Sequence, residues 1–288
     1  MSLVHVIILA IIQGLAELLP VSSSAHVVVA EKLMGMDPTS PAMTLLLVML
    51  HTGTMFAVIV YFWRQWGRTY FRDVQTFKTI VVQLIIASVA TGIIGYGLIL
   101  LIEKTVLHGQ HAQVEVLFGR LDLIAPALAL VGILILIAGL RQEPSQSLSD
   151  ENGTGLNSSQ SIWIGIIQGL CLPFRGFSRS GATISTGMLL GVAKARAEEF
   201  SFALAVILTP PAIAREASRL AKAQHITGAA PLASAMAPSI VGAIFAFLAG
   251  LIALKWLSRW LESGRWAWFG VYCLAASCVV FYLHHRGY

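Results

Sequence analysis

Apolar residues run along this chain in long stretches separated by short polar patches, and the lengths of those stretches predict its elements. A helix needs about 20 mostly apolar residues to cross a bilayer. Residues 42–63, 80–102, 121–140, 234–254 and 266–283 satisfy that, and a further stretch, 197–214, ends at Pro210-Pro211. These predict six membrane-spanning helices. Two other regions are apolar but interrupted. Residues 3–19 and 24–35 are split by Pro20 and a serine run, and residues 161–172 and 182–193 by Pro173 and a Gly/Ser/Arg segment. Each piece is too short to span, so each region is predicted to be a re-entrant hairpin. Such a turn survives at membrane depth only when packed in protein or lining a wet cavity.

The two interrupted regions are alike. Ile11-Ile12-Gln13-Gly14-Leu15 recurs as Ile166-Ile167-Gln168-Gly169-Leu170. A proline and serines follow in both, then a helix ending in Met34-Gly35-Met36 or Leu190-Gly191-Val192. Broken helices at matching places in two halves point to a central binding site. The predicted fold is an all-α polytopic membrane protein, about six transmembrane helices plus two re-entrant hairpins arranged as inverted repeats. The chain is read as one membrane domain over residues 1–288, with repeat one at about 1–140, a polar linker at 141–160, and repeat two at about 161–288. Basic residues in segments 64–78 and 255–265 place both in the cytoplasm by the positive-inside rule. The first hairpin then enters from outside and the second from inside. Arg215, Arg219 and Lys222 fall outside in this scheme, against the rule.

Composition agrees with a bilayer as the solvent. Of 288 residues, 57% are hydrophobic and 11% charged, with a mean hydropathy of +0.78, whereas soluble domains carry about 25% charged residues. The net charge of +5 sits at helix ends and not in an aromatic-laced stripe, so it reports cytoplasmic loops and not nucleic-acid binding. Cys171, Cys273 and Cys278 lie in apolar stretches without metal spacing and are read as small hydrophobes. The first apolar stretch lacks a basic leader and a small-residue cleavage site, so no removable signal peptide is expected.

The candidate chemistry lies in the hairpins. In the first, Gln13 and Glu17 share a helix face, Pro20 stops that helix, Ser22, Ser23 or Ser24 can cap the next, and His26 falls in its first turn. An ionisable Glu17 among apolar residues is costly and so marks function. In the second, Gly176-Phe177-Ser178-Arg179-Ser180-Gly181-Ala182-Thr183 precedes an apolar helix. Glycines let N–H groups converge on an anion, the helix N-terminus is positive, and the Arg179 guanidinium offers a forked charge suited to phosphate. Neither hairpin makes a whole phosphate site, but together they do. Glu17 with Gln13 offers oxygen ligands for a divalent cation, Mg²⁺ or Ca²⁺. His51-Thr52-Gly53-Thr54 is a weaker candidate that reads first as helix packing. His108 and His111 read as solvated loop residues, and Glu198 and Glu199 as acids at a helix start. The Trp and Tyr residues near 61–70 and 256–272 read as interfacial belts.

The two motifs resemble those of the bacterial undecaprenyl-diphosphate phosphatase family, also called the bacitracin-resistance proteins. Gln13, Glu17, Pro20-Val21-Ser22-Ser23 and His26 match the first family motif; Gly176-Phe177-Ser178-Arg179-Ser180-Gly181 with Thr183 matches the second. Phe62-Trp63-Arg64 and Glu199-Phe200-Ser201-Phe202 add to the likeness. Arg175 stands where the family has proline, which gives up a fixed φ and adds a charge. The resemblance implies a multi-pass protein of the bacterial inner membrane that cuts a C55 polyprenyl diphosphate to the monophosphate and inorganic phosphate, recycling the carrier for cell-wall synthesis with a divalent cation. It implies catalytic roles for Glu17, Ser23, His26 and Arg179, substrate contacts from Ser22, Ser178, Ser180, Gly181 and Thr183, and a metal on Gln13 and Glu17. Ser23 is the preferred nucleophile with His26 as base or acid; His26 itself or a water remain alternatives. A site opening to the periplasm is preferred, and a homodimer is compatible with the reading. The rival is a lipid-phosphate transporter or flippase using the same anion site.

Overall fold

The computed structural model describes residues 2–36, 40–105, 117–141, 156–227 and 233–287. His108, His111 and most of the predicted linker lie outside them. The regular elements of the described residues are α-helices: α1 (Leu3–Leu18), α2 (Ser23–Leu33), α3 (Pro41–Thr69), α4 (Val74–Thr105), α5 (Leu121–Leu140), α6 (Ser158–Cys171), α7 (Arg179–Leu189), α8 (Lys194–Thr227), α9 (Ala233–Glu262) and α10 (Trp266–His285). Six of them, within α3, α4, α5, α8, α9 and α10, are long and apolar enough to cross a membrane. They are the six predicted from hydropathy.

The four short helices form the two hairpins. At 1.5 Å per residue, the 16 residues of α1 reach about 24 Å, short of a bilayer core of about 30 Å. Helix α1 begins with the Ser2 side chain accepting from His5 N and stops ahead of Pro20. Helix α6 begins in a capping box between Asn157 and Gln160. Helices α2 and α7 end alike. Gly35 (φ +63°) and Gly191 (φ +80°) take the left-handed turn, while Met36 N donates to Glu31 O and Val192 N to Gly187 O, the Schellman closure that glycine permits.

The halves interlock by exchange. Helix α1 packs along α9 of the second half, and α6 packs along α4 of the first; α5 pairs with α10 and α3 with α8. The repeated Gln-Gly pair explains the first two contacts. A Cβ on Gly14 would lie 2.6 Å from Ala246 O of α9, and one on Gly169 would lie 3.0 Å from Thr91 O of α4. Small residues at these places let backbones approach in a membrane, where packing and not the hydrophobic effect drives helix association.

Several expectations are corrected. Helix α8 does not end at Pro210-Pro211 but runs to Thr227. The prolines remove the donors to the carbonyls of Val206 and Ile207, a loss tolerated in membrane helices where neighbours re-satisfy the backbone; Thr209 Oγ1 bonds back to Ala205 O. Helix α7 starts at Arg179 instead of 182, because Ser178 accepts from Gly181 N and closes the first turn early. Glu198 and Glu199 do lie near the start of α8, but inside the protein and not at its surface: Ser258 donates to Glu198, while Arg196 and Gln65 hold Glu199. The aromatic belts hold only in part. Trp63, Trp256, Trp268 and Tyr272 are exposed, but Trp66, Tyr70 and Trp266 are core; the Trp266 indole N–H bonds Ser185 Oγ, which satisfies the ring's polar end in the interior. Cys171 and Cys273 are buried as expected, and Cys278 is exposed.

Candidate active site

The tips of the two hairpins meet. Ser180 Oγ of α7 donates to Leu19 O, and Gly176 N donates to Ser24 Oγ. Gly181 makes the junction possible. A Cβ there would lie 2.8 Å from Ile135 Cδ1 and 3.2 Å from Pro20 Cβ. Gly176 (φ +98°) turns the chain between α6 and α7.

Glu17, in the last turn of α1, is the hub of the junction. Its Oε1 accepts from Arg179 Nη2 at 3.0 Å. Its Oε2 accepts from Ser23 Oγ at 2.5 Å and from Gln13 Nε2 at 3.1 Å. The Glu17 and Arg179 side chains are only 17% and 24% exposed. Such a pair is held by mutual charge, and removing either partner strands the other. Arg179 Nη1 is buried with no hydrogen-bond partner. One tine of the guanidinium fork thus holds the carboxylate, and the other is free for a planar or tetrahedral anion. Arg179 also opens α7, whose N-terminal N–H groups add positive potential.

The hub opens into a cleft lined by Glu17 and Leu18 of α1, by His51, Thr54, Met55 and Val58 of α3, by Arg179, and by Ala205, Val206 and Thr209 of α8. Its empty space, counting the part open to solvent, is about 270 Å³. Sequence patterning ranked His51 below the hairpin residues, yet it stands in this cleft with Nε2 3.8 Å from Glu17 Oε2. Its Nδ1 donates to Leu47 O at 2.8 Å. A carbonyl only accepts, so Nδ1 carries the hydrogen and Nε2 is the nitrogen that can exchange a proton in the cleft. The missed signal was an ionisable residue well inside an apolar span.

Of the predicted site residues, the structure brings together Gln13, Glu17, Ser23 and Arg179. It does not bring His26 to Ser23: Nδ1 donates to Ser22 O at 2.8 Å, and Nε2 faces Tyr272 Oη at 2.6 Å. Ser178, Ser180, Gly181 and Thr183 are buried and lock the second hairpin instead of lining the cleft. Thr183 Oγ1 pairs with Ser201 Oγ at 2.5 Å, and Ser178 caps α7. Ser22, at φ +68°, forms the strained turn into α2, and its hydroxyl meets Ser24 Oγ at 3.3 Å. Arg175 lies over the Phe118 ring at 4.5 Å.

A hard divalent cation suits the donors present. Among the described residues no three His, Cys, Asp or Glu stand together as a metal cage. Glu17 supplies one carboxylate, and the Gln13 amide, turned about its last bond, would present its oxygen in place of Nε2. Magnesium is commonly held in this way, by one or two protein carboxylates with phosphate oxygens and water completing its shell.

The profile of the family described as bacitracin resistance protein BacA matches residues 6–279. Undecaprenyl-diphosphatase 2 of Acinetobacter baylyi is 56% identical over 284 residues, covering 97% of each chain. Undecaprenyl-diphosphatases of Desulfosudis oleivorans and Rhodopirellula baltica are 33% and 32% identical, over 97% and 99% of this chain and 98% and 99% of their own.

Proposed function

The chain belongs to the bacitracin resistance protein family, and from that premise we propose how it hydrolyses undecaprenyl diphosphate to undecaprenyl phosphate and inorganic phosphate. The observation that carries the reading is Glu17, bonded at one oxygen to a serine hydroxyl and at the other to an arginine that keeps a free tine. That contact supports a reading in which Glu17 is the base, Ser23 beside it the nucleophile and Arg179 the anion holder.

The diphosphate head enters the cleft, and the isoprenoid, too long for it, stays in the lipid. Arg179 Nη1 and the N-terminal N–H groups of α7 bind the terminal phosphate. Ser23 Oγ attacks the terminal phosphorus as its proton passes to Glu17. The bond from that phosphorus to the bridging oxygen breaks, and undecaprenyl phosphate leaves. Glu17 gives that proton up to His51 Nε2; water then attacks the phosphoserine as Glu17 takes the water's proton, the bond from phosphorus to Oγ breaks, and Glu17 returns the proton to Ser23 Oγ, leaving inorganic phosphate and free Ser23. His51 Nε2 is the neighbour to which Glu17 can pass a proton. Mg²⁺ or Ca²⁺, held by Glu17 and Gln13, would neutralise part of the diphosphate charge. His26, with both ring nitrogens engaged elsewhere, is not the base for Ser23 in this scheme.

The site belongs at the periplasmic side of the bacterial inner membrane, with the hairpins as inverted repeats. Matching element order, matching helix ends and exchanged packing support the repeat. The basic end of α3 supports the orientation. The relatives reported above are named for hydrolysis, and their names lend the transporter reading no support.

The test is phosphate release from undecaprenyl diphosphate by the purified protein in detergent, with and without chelator, followed by acid quenching with terminally labelled substrate. The expected result is cation-dependent release and label on Ser23. Undiminished release under chelation contradicts the cation assignment. A Ser23→Ala variant that keeps near wild-type turnover replaces Ser23 by water as the nucleophile.

A further inference from the structure

The turn that presents Ser23 is strained. Ser22 is the sole non-glycine with positive φ among the described residues, at +68°, a region that is costly for a side chain and persists only where its surroundings enforce it. No side chain caps the start of α2. The Ser22 carbonyl is held from within α2 by the His26 ring, Nδ1 donating at 2.8 Å, and by the weaker His26 N–H at 3.4 Å. The other end of that ring faces Tyr272 of α10, 246 positions along the chain, with Oη 2.6 Å from Nε2. The two rings lie nearly parallel, 12° apart with centroids at 5.7 Å.

The proton positions follow from what each atom can do. The Ser22 carbonyl only accepts, so Nδ1 carries the hydrogen. In the neutral ring Nε2 then only accepts, so the Tyr272 hydroxyl donates to it. Tyr272 thereby selects the one tautomer of His26 that can clamp the strained turn.

We propose that Tyr272 is a positioning residue for the phosphatase reaction, acting through His26 and the Ser22 carbonyl to keep Ser23 Oγ on Glu17. His26 on this account is a clamp and not an acid or base. Tyr272 is 47% exposed and touches neither Glu17 nor Arg179, so its effect reaches the chemistry only along this chain of hydrogen bonds. The proposal rests on the phosphatase reading, and its test separates the two.

The experiment measures kcat and KM for undecaprenyl diphosphate in Tyr272→Phe, His26→Ala, His26→Asn and the double variant His26→Asn/Tyr272→Phe. An asparagine amide N–H can replace Nδ1–H as donor to Ser22 O without needing a partner to fix its tautomer. Tyr272→Phe, which keeps the stacked ring, is expected to lower kcat about tenfold with KM within about twofold. His26→Asn is expected to retain clearly more activity than His26→Ala, and Tyr272→Phe to cost under about twofold in the His26→Asn background, the non-additivity of residues acting in series. Three results overturn the proposal: Tyr272→Phe with unchanged kcat, the same tenfold loss in the His26→Asn background, or His26→Asn as inactive as His26→Ala. Nitrogen-15 spectra of the histidine rings supply a readout independent of turnover. The His26 signals, identified by their loss in His26→Asn, are expected to show the Nδ1–H tautomer in the wild type and a tautomer mixture in Tyr272→Phe; an Nε2–H ring in the wild type also overturns the proposal. If wild-type protein releases no phosphate, the phosphatase reading fails while the spectra still decide the clamp.

Discussion

At the scale of residues, the site is organised by one carboxylate. Glu17 is buried beside a guanidinium and a hydroxyl, and each of the three is unfavourable there without the others. That mutual dependence is why they were legible in the sequence: an acid and an arginine in otherwise apolar hairpins have few structural excuses. The roles of their neighbours were less legible, because a motif records which residues are near and not which way they face. His26 sits three positions after Ser23, yet its ring turns to Ser22 O and Tyr272. Ser178, Ser180 and Thr183 read as phosphate donors, yet their hydroxyls are spent on the helix cap, on Leu19 O and on Ser201. His51 was passed over because a span with threonines and a glycine packs well, and Gly53 does pack closely on Ala243; one face of the same turn still opens into the cleft. His51→Ala is expected to lower kcat by roughly ten- to a hundredfold, less than loss of the base itself. Steady-state kinetics on folded protein checks this, and an unchanged kcat removes His51 from the proton path.

At the scale of elements, the broken helices are what bring charge to membrane depth. Their existence followed from length and from Pro20 and Pro173 in the sequence. Their ends did not, because a cap such as Ser178 sets a start by one hydrogen bond. The double proline in α8 misled for a physical reason: a proline deletes one donor, and a helix already packed on α3 and α7 keeps its course despite the loss. Gly181 shows the reverse case. It reads as part of a curled anion cradle but is helical, and its missing Cβ is where Pro20 of the other hairpin fits. Gly181→Val is therefore expected to separate the hairpin tips, costing about 1–3 kcal/mol of stability from overpacking together with most of the activity. A drop in the thermal midpoint in detergent would register the first effect; a variant as stable and active as the parent would show that the tips do not need this contact.

At the scale of the molecule, the two halves share a plan but only one carries the acid. Position 17 of the first hairpin has Leu172 as its counterpart by the Gln-Gly match, so the second half contributes the arginine and the first the carboxylate. Interlocking the halves is what makes one site from two incomplete ones. In the proposed orientation α3 starts outside the cell, and cleft residues 51–58 lie about 15–25 Å along it at 1.5 Å per residue. A cysteine introduced as Arg72→Cys, with Cys278→Ser to remove the exposed native thiol, is expected to resist an impermeant thiol reagent in intact spheroplasts and to react after lysis. Labelling before lysis would reverse the orientation and the side to which the cleft opens.

The most direct measurement of the central claim is phosphate release from undecaprenyl diphosphate by purified Glu17→Gln beside the wild type. Glutamine keeps the shape and can still bond Ser23, but it cannot take its proton. The rate is expected to fall by roughly a hundred- to ten-thousandfold in protein that stays folded in detergent. Release at near the wild-type rate would contradict a site built around this carboxylate.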